Sequence, residues 1–230
     1  MTFQHIQRKL YNLTHPVVGE VWMLHRVVEQ RSEVPQQREL EVTPQWLETQ
    51  IADRQRDGWR FVSLDEMDNR GRWIVLTIDD GYTDTYSTAY PLFRRLGVPF
   101  AVYVTTGFLD NRSGMWWYHG QQLGLDTQEL RVLDADPLCT IGAHTVTHPH
   151  LDTLTREQQC HEIAESKKTL ETLLGHEVRH FSFPHGAYND DTLVICQEIG
   201  LTTAVRSWGG VVRRGFDNMP VNRINISQND

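Results

Sequence analysis

Three short stretches of this chain hold residue types at spacings that suit chemistry. The first is Leu76-Thr77-Ile78-Asp79-Asp80-Gly81, an apolar run leading straight into two acids and a glycine. Charged residues at the C-terminal end of a strand are where α/β enzymes place their chemistry. Adjacent strand residues point to opposite sides, but at a strand end the backbone turns. Both carboxylates can then border one site, one binding a cation and the other reaching the cation's water. Asp-Asp-Gly is also ordinary turn chemistry, so this stretch alone decides little.

The second stretch is Ile141-Gly142-Ala143-His144-Thr145-Val146-Thr147-His148-Pro149. Imidazoles four apart could share a helix face, but Thr145, Val146 and Thr147 are β-branched. Pro149 also disfavours the helical region at His148. Both histidines are therefore expected on a tight loop after a strand. Two imidazole nitrogens and a carboxylate oxygen suit zinc or a related divalent ion. Three protein ligands leave a coordination position open for water. The third stretch, Phe181-Ser182-Phe183-Pro184-His185-Gly186-Ala187-Tyr188-Asn189, reads as a strand, a proline-glycine turn and a helix N-terminus. Such a turn can present backbone N–H groups to an oxyanion, or can simply connect two elements.

The elements that must position these residues alternate along the chain. Strand-like runs fall at residues 21–24, 61–64, 74–78, 100–105, 140–143, 180–183, 203–205 and 221–226. Helices are expected from Thr43-Pro44 to about Asp57, from Thr83 to Leu96, from Thr155 to Leu174 and from Asn189 to Ile199, with glycines after them. Thr155 with Gln158 fits a capping box. Strands alternating with helices over short connections indicate an α/β barrel or doubly wound sheet.

Composition bounds the partners. The chain has 230 residues, 39% hydrophobic and 23% charged, enough for one large α/β domain. A net charge of -8 argues against nucleic acid or another polyanion. No apolar run reaches the ~20 residues of a membrane span. The N-terminus carries no apolar signal core, so a cytoplasmic location is expected. Three cysteines without a C-x-x-C pattern fit a reducing compartment and small buried hydrophobes. The oligomeric state is not encoded legibly.

In chain order, Thr77-Ile78-Asp79-Asp80-Gly81, His144-Thr145-Val146-Thr147-His148-Pro149 and Pro184-His185-Gly186 resemble the polysaccharide deacetylase family. This family, also called the NodB-homology or carbohydrate esterase family 4 domain, carries the patterns T-F-D-D-G, H-[ST]-x-x-H-P and P-[YF]-G. Leu24-His25-Arg26-Val27, the helix near Val42-Thr43-Pro44, residues 61–64 and Met219 to Ile224 are similar to one branch of it. That branch acts on biofilm and capsule polysaccharides and has a circularly permuted barrel. The resemblance spans roughly residues 18–228 and implies a single-domain, distorted (β/α)7 barrel over 18–230, with 1–17 as an N-terminal extension.

The resemblance implies roles residue by residue. Asp80, His144 and His148 would bind one divalent ion, zinc first, with cobalt, nickel or iron also suited to these ligands. Asp79 would be the general base. Ordinary members take their general acid from a late Leu-x-His motif, which Arg223-Ile224-Asn225-Ile226 lacks. In the permuted branch the acid comes from an early histidine, here His25. His185, standing where the family has an aromatic, is a second acid candidate. Ser182 occupies the place of an arginine that would steady Asp79, and Arg223 is the alternative source of that support. Trp117, Pro184, Tyr188 and Arg223 are expected to contact substrate, with core packing the competing role for at least one tryptophan of residues 116–117. His150, His161, His176 and His180 have no motif support and are expected at the surface.

The implied activity is removal of N-acetyl groups from amino sugars of a polysaccharide, oligosaccharide or glycan precursor. A deformylase or other non-peptide amide hydrolase is the enzymatic alternative. A non-catalytic glycan-binding module is the other, although a binder has no need of Asp79 beside the ligand set. A two-metal phosphatase would need more carboxylates than one ligand set offers.

Overall fold

The structure, a computed structural model, describes residues 14–228. Strands β1 (Val17–Leu24), β5 (Trp73–Ile78), β6 (Phe100–Val104), β7 (Cys139–Ala143), β8 (His180–Ser182), β9 (Thr203–Gly209) and β11 (Val221–Asn225) form a parallel barrel. Two two-residue strands, β2 (Arg26–Val27) and β3 (Glu41–Val42), pair with each other. β4 (Arg60–Phe61) extends the barrel sheet beside β5, and β10 (Val212–Arg213) runs antiparallel to β1. The barrel closes because β1 pairs with β11 on one side and with β5 on the other. Six residue pairs, from Gly19 with Trp73 to Leu24 with Ile78, fix the second of these registers. The expected distorted (β/α)7 barrel is the observed architecture.

Among the described residues, the helices α1 (Pro35–Arg38), α2 (Pro44–Arg56), α3 (Tyr90–Leu96), α4 (Thr127–Asp134), α5 (Arg156–Leu174) and α6 (Asp190–Glu198) accompany the strands. β5 and β6 are buried at every position, as parallel strands covered on both faces must be. Their alternation sorts the core. Ile74, Leu76, Ile78, Phe100, Val102 and Val104 pack outward with Leu47, Ile51, Phe93, Ile163 and Leu170 of the helices. Trp73, Val75, Ala101 and Tyr103 cluster instead with Val21, Val205 and Val221, which places them inside the barrel. The same period of two carries Thr77, Asp79 and Arg223 to the inner side.

Side-chain caps set the N-termini of α4, α5 and α6. Thr155 opens α5 with the expected capping box to Gln158, and Gly175 ends it at φ 81°. Asn189 caps α6. The strand expected over 61–64 shortens to β4, because Ser63 binds Glu66 and turns residues 64–66 into a 3-10 helix. The helix expected from Thr83 begins as a π-helical turn, Thr85–Ala89, before α3. Pro91 lacks the N–H that would close an ordinary turn onto Ser87. His180, expected at the surface, is 3% exposed: strand parity turns it inward.

Candidate active site

Most chemistry-bearing residues lie at or just beyond strand ends on one rim of the barrel. His25 follows β1, Asp79 and Asp80 follow β5, and His144 follows β7. His185 sits in the turn after β8, and Arg223 lies within β11. His25, Asp79, Asp80, His144, His148, His185, Trp116 and Trp117 share one cavity of about 260 Å³, so both acid candidates face the paired acids. The backbone bends sharply to achieve this. Asp80 (φ 75°), Thr145 (φ 66°), His148 (φ 62°) and His185 (φ 59°) all occupy the left-handed region that non-glycine residues seldom adopt. Strain of this kind persists where surrounding contacts over-determine the conformation.

Asp80, His144 and His148 form a candidate cation site. Both Nε2 atoms stand 3.3 Å from Asp80 Oδ1. A tetrahedral ion with ligands at about 2.0–2.1 Å sets neighbouring ligand atoms about 3.3 Å apart. Asp80 Oδ1 is buried and has no hydrogen-bond partner among the described residues. His144 Nδ1 lies 2.7 Å from the Ser182 carbonyl, an acceptor only, so Nδ1 carries the proton and Nε2 keeps its lone pair. The donor set therefore fits a divalent ion. Burial alone would raise the Asp80 carboxyl, but the His144 and His148 imidazoles outweigh it and hold the group well below its ordinary value.

Asp79 is built differently. Arg223, 1% exposed, donates from Nη1 to Asp79 Oδ1 at 2.7 Å and from Nη2 to Oδ2 at 2.6 Å. The remaining guanidinium donors reach the Arg206 carbonyl, Thr77 Oγ1 and Ser182 Oγ. All five N–H groups are thus engaged, and none faces a substrate. Arg223, expected both as support for Asp79 and as a substrate contact, is placed as the support. Ser182 was expected to leave Asp79 unsteadied. Instead its hydroxyl accepts from Arg223 and donates to Asp79 Oδ2 at 3.2 Å. Burial opposes ionisation of Asp79, but Arg223 and His144 overcome it and hold the carboxyl below its usual value.

The walls come from loops. Trp117 is half-buried, its ring 4.7 Å from the His148 ring, and its Nε1 donates to Tyr82 Oη at 2.6 Å. Trp116, which carried no assignment of its own, is the exposed one, at 63%. Tyr82 is fully buried beneath the site, and burial with the Asp80 charge drives its hydroxyl pKa well up. Nothing in Gly81-Tyr82 marked it as more than a core aromatic. Pro184 is buried in its turn, and Tyr188 packs on Phe183 and accepts from Arg206 at 3.1 Å. His185 stacks on His150 at 3.8 Å and meets His148 edge-on at 4.5 Å. Burial and the neighbouring imidazoles lower its pKa to about 4. Burial likewise lowers that of His25, against the pull of Asp80 and Asp79.

The family model for polysaccharide deacetylases matches residues 66–204, more than half of the chain. The chain belongs to the polysaccharide deacetylase family. Among solved relatives of this family fold, the Streptococcus pyogenes deacetylase PplD, in complex with acetate, superposes with a TM-score of 0.78 at 24% identity. The match covers 92% of this chain and 93% of PplD. IcaB from Ammonifex degensii gives 0.79 at 21% identity, with 92% of each chain covered. A Bacillus subtilis (strain 168) protein named as a polysaccharide deacetylase, YxkH, is 27% identical over 154 residues, 67% of this chain and 51% of YxkH. This chain thus spans about half the length of that curated relative.

Proposed function

We propose that this polysaccharide deacetylase family member is a metal-dependent hydrolase that removes N-acetyl groups from amino sugars of a glycan. One observation carries the proposal: a buried carboxylate locked by an arginine stands beside a separate Asp/His/His ligand set in the same cavity. A site built only to bind would gain nothing from the second carboxylate.

Asp80, His144 and His148 would hold the ion, zinc being the first candidate. When bound, a divalent ion supplies Lewis acidity toward an acyl oxygen and makes water easier to deprotonate. Asp79 acts as the base. Its bidentate bonds to Arg223 fix the carboxylate plane, and Arg223 keeps it ionised in a dry site. The Gly186 and Ala187 N–H groups close the turn onto Phe183 and Pro184, leaving the His185 N–H outside the turn's own hydrogen bonds. That N–H, at the cavity wall, is positioned to meet developing negative charge on the acyl oxygen. His25, across the cavity, donates a proton to the departing amine. Trp116 and Trp117 border the entrance and offer faces to a sugar ring.

The test combines elemental analysis with acetate release from N-acetylglucosamine oligomers. One metal equivalent is expected in the wild type and in Asp79→Asn, and none in His148→Ala. Asp79→Asn should lose turnover; normal turnover would remove Asp79 as base. His25→Ala should slow turnover strongly while keeping the metal. If His185→Ala does so instead, the acid role belongs to His185.

A further inference from the structure

The two histidines of the ligand set are held in different ways. His144 is oriented through its ring, by the bond from Nδ1 to the Ser182 carbonyl. His148 Nδ1 is buried and has no acceptor among the described residues. Metal-binding histidines ordinarily use their second nitrogen to fix the ring. His148 must therefore be fixed by what surrounds the ring and by its backbone. Trp117 and His185 pack on the ring. The backbone adopts a left-handed conformation at both Thr145 and His148, so the loop between the ligands needs partners to stay in place.

One side chain from outside the loop supplies three hydrogen bonds. Glu162, in the second turn of α5 and 9% exposed, turns its carboxylate toward the loop. Glu162 Oε2 accepts from the Val146 N–H at 2.8 Å and the Thr147 N–H at 2.9 Å. Oε1 accepts from the Thr147 hydroxyl at 2.7 Å. These are charge-assisted bonds, shorter and stronger than neutral ones. Among the described residues, no other charged group accepts from the loop's backbone. Other loop bonds run from Thr106 and Gly107 N–H to the Thr145 and Val146 carbonyls, from Thr105 Oγ1 and Thr145 Oγ1 to the His144 carbonyl, from His144 N–H to the Val104 carbonyl and from His148 N–H to Thr145 Oγ1.

We infer that Glu162 is a positioning residue of the metal site, holding the His144–His148 loop in the geometry that presents His148 Nε2 to the ion. This inference rests on the proposed metal site. Glu162 does not touch the ion; it acts on the loop between two ligands. It also couples the long helix α5 to the site, because the carboxylate can reach the loop only while the helix is docked on the barrel.

The test measures the dissociation constant for cobalt(II) by chelator competition, with the cobalt absorption spectrum and the melting temperature of the metal-free protein. Glu162→Ala should weaken cobalt binding by about 10- to 100-fold, as losing an outer-shell partner typically does. Its cobalt spectrum should change, reporting altered ligand geometry. Glu162→Gln keeps one oxygen for both N–H groups and an amide for the Thr147 hydroxyl, so it should recover most of the affinity. Glu165→Gln removes a charge from the same helix without reaching the loop and should bind as the wild type does. Glu162→Ala binding within about twofold of the wild type would overturn the inference. So would a Gln variant as weak as the Ala variant, with both metal-free proteins melting early, since that pattern means general destabilisation. If the wild type itself binds no cobalt, the metal reading fails first, an outcome distinct from either.

Discussion

Arg223→Met tests whether Asp79 depends on a single buried partner. The two groups are 1% and 2% exposed, and two parallel bonds of 2.7 and 2.6 Å join them. Methionine fills similar space but leaves the carboxylate buried and unpaired. Removing one member of a buried ion pair costs about 3–5 kcal/mol. In a chain of this size 1 kcal/mol moves the melting temperature about 2–4 °C, so the expected fall is about 6–20 °C. Asp79→Asn should cost a comparable amount, because it strands the guanidinium. The double variant carries neither charge and should lose far less than the two singles together, a coupling of at least about 2 kcal/mol. Arg223→Lys should fall between, since one ammonium cannot make two parallel bonds. The assay is thermal unfolding of protein stripped of metal by chelator. The sign with pH is fixed: Asp79 sits below its ordinary 3.8, so its contribution is complete above that value and disappears as pH falls through the folded-state value. The wild type and Arg223→Met should therefore converge in strong acid. A fall under about 3 °C in the Met variant, or additive losses in the double, would refute the locked carboxylate.

Three further outcomes are expected. Trp116→Ala, at an exposed position, should change stability by less than about 0.5 kcal/mol yet raise KM for an N-acetylated oligosaccharide; an unchanged KM would take Trp116 out of substrate binding. Gly142→Ala places a Cβ 2.5 Å from the Tyr103 ring inside the barrel, and should cost about 1–3 kcal/mol in chemical denaturation. Burial lowers the His180 pKa from 6.5, so its neutral form stabilises the fold above that value, and stability is lost as pH falls through the lowered one. His180→Phe should therefore flatten the decline in melting temperature between about pH 7 and pH 5, and equal slopes in the two proteins would remove His180 as the source.

The paired acids and the two histidines were readable because each pair lies in one short stretch, where strand, turn and ligand type are all local. The barrel was readable because β5, β6 and β7 are apolar runs punctuated by capped helices. Residues that act across the fold were harder. Arg223 lies 144 positions from Asp79, and nothing local in β11 distinguishes a buried guanidinium from a solvated one. Strand parity supplies the missing signal: Arg223 is two residues from Val221, a barrel-interior residue, so it points inward. Ser182 stands where the family carries an arginine, and its sequence neighbourhood does not show that its hydroxyl both accepts and donates in this network. Glu162 was invisible for the opposite reason. A glutamate in a helix rich in charged residues reads as solvated, and only the docking of α5 shows that it faces the loop. His180 was misplaced for want of the same parity argument.

Strand β1 completes the barrel between β11 and β5, which ties the first barrel strand of the chain to the last. During synthesis the ring therefore cannot close until β11 has left the ribosome. Asp79 emerges just after β5, whereas Arg223 follows 144 residues later. A nascent chain that has formed everything up to β9 still holds Asp79 without its counter-charge, and such a carboxylate takes up a proton or stays in water. Long-range closure of this kind is slow. The proposed base thus gains its counter-charge only when β11 docks, so closure of the barrel and ionisation of Asp79 coincide in one event.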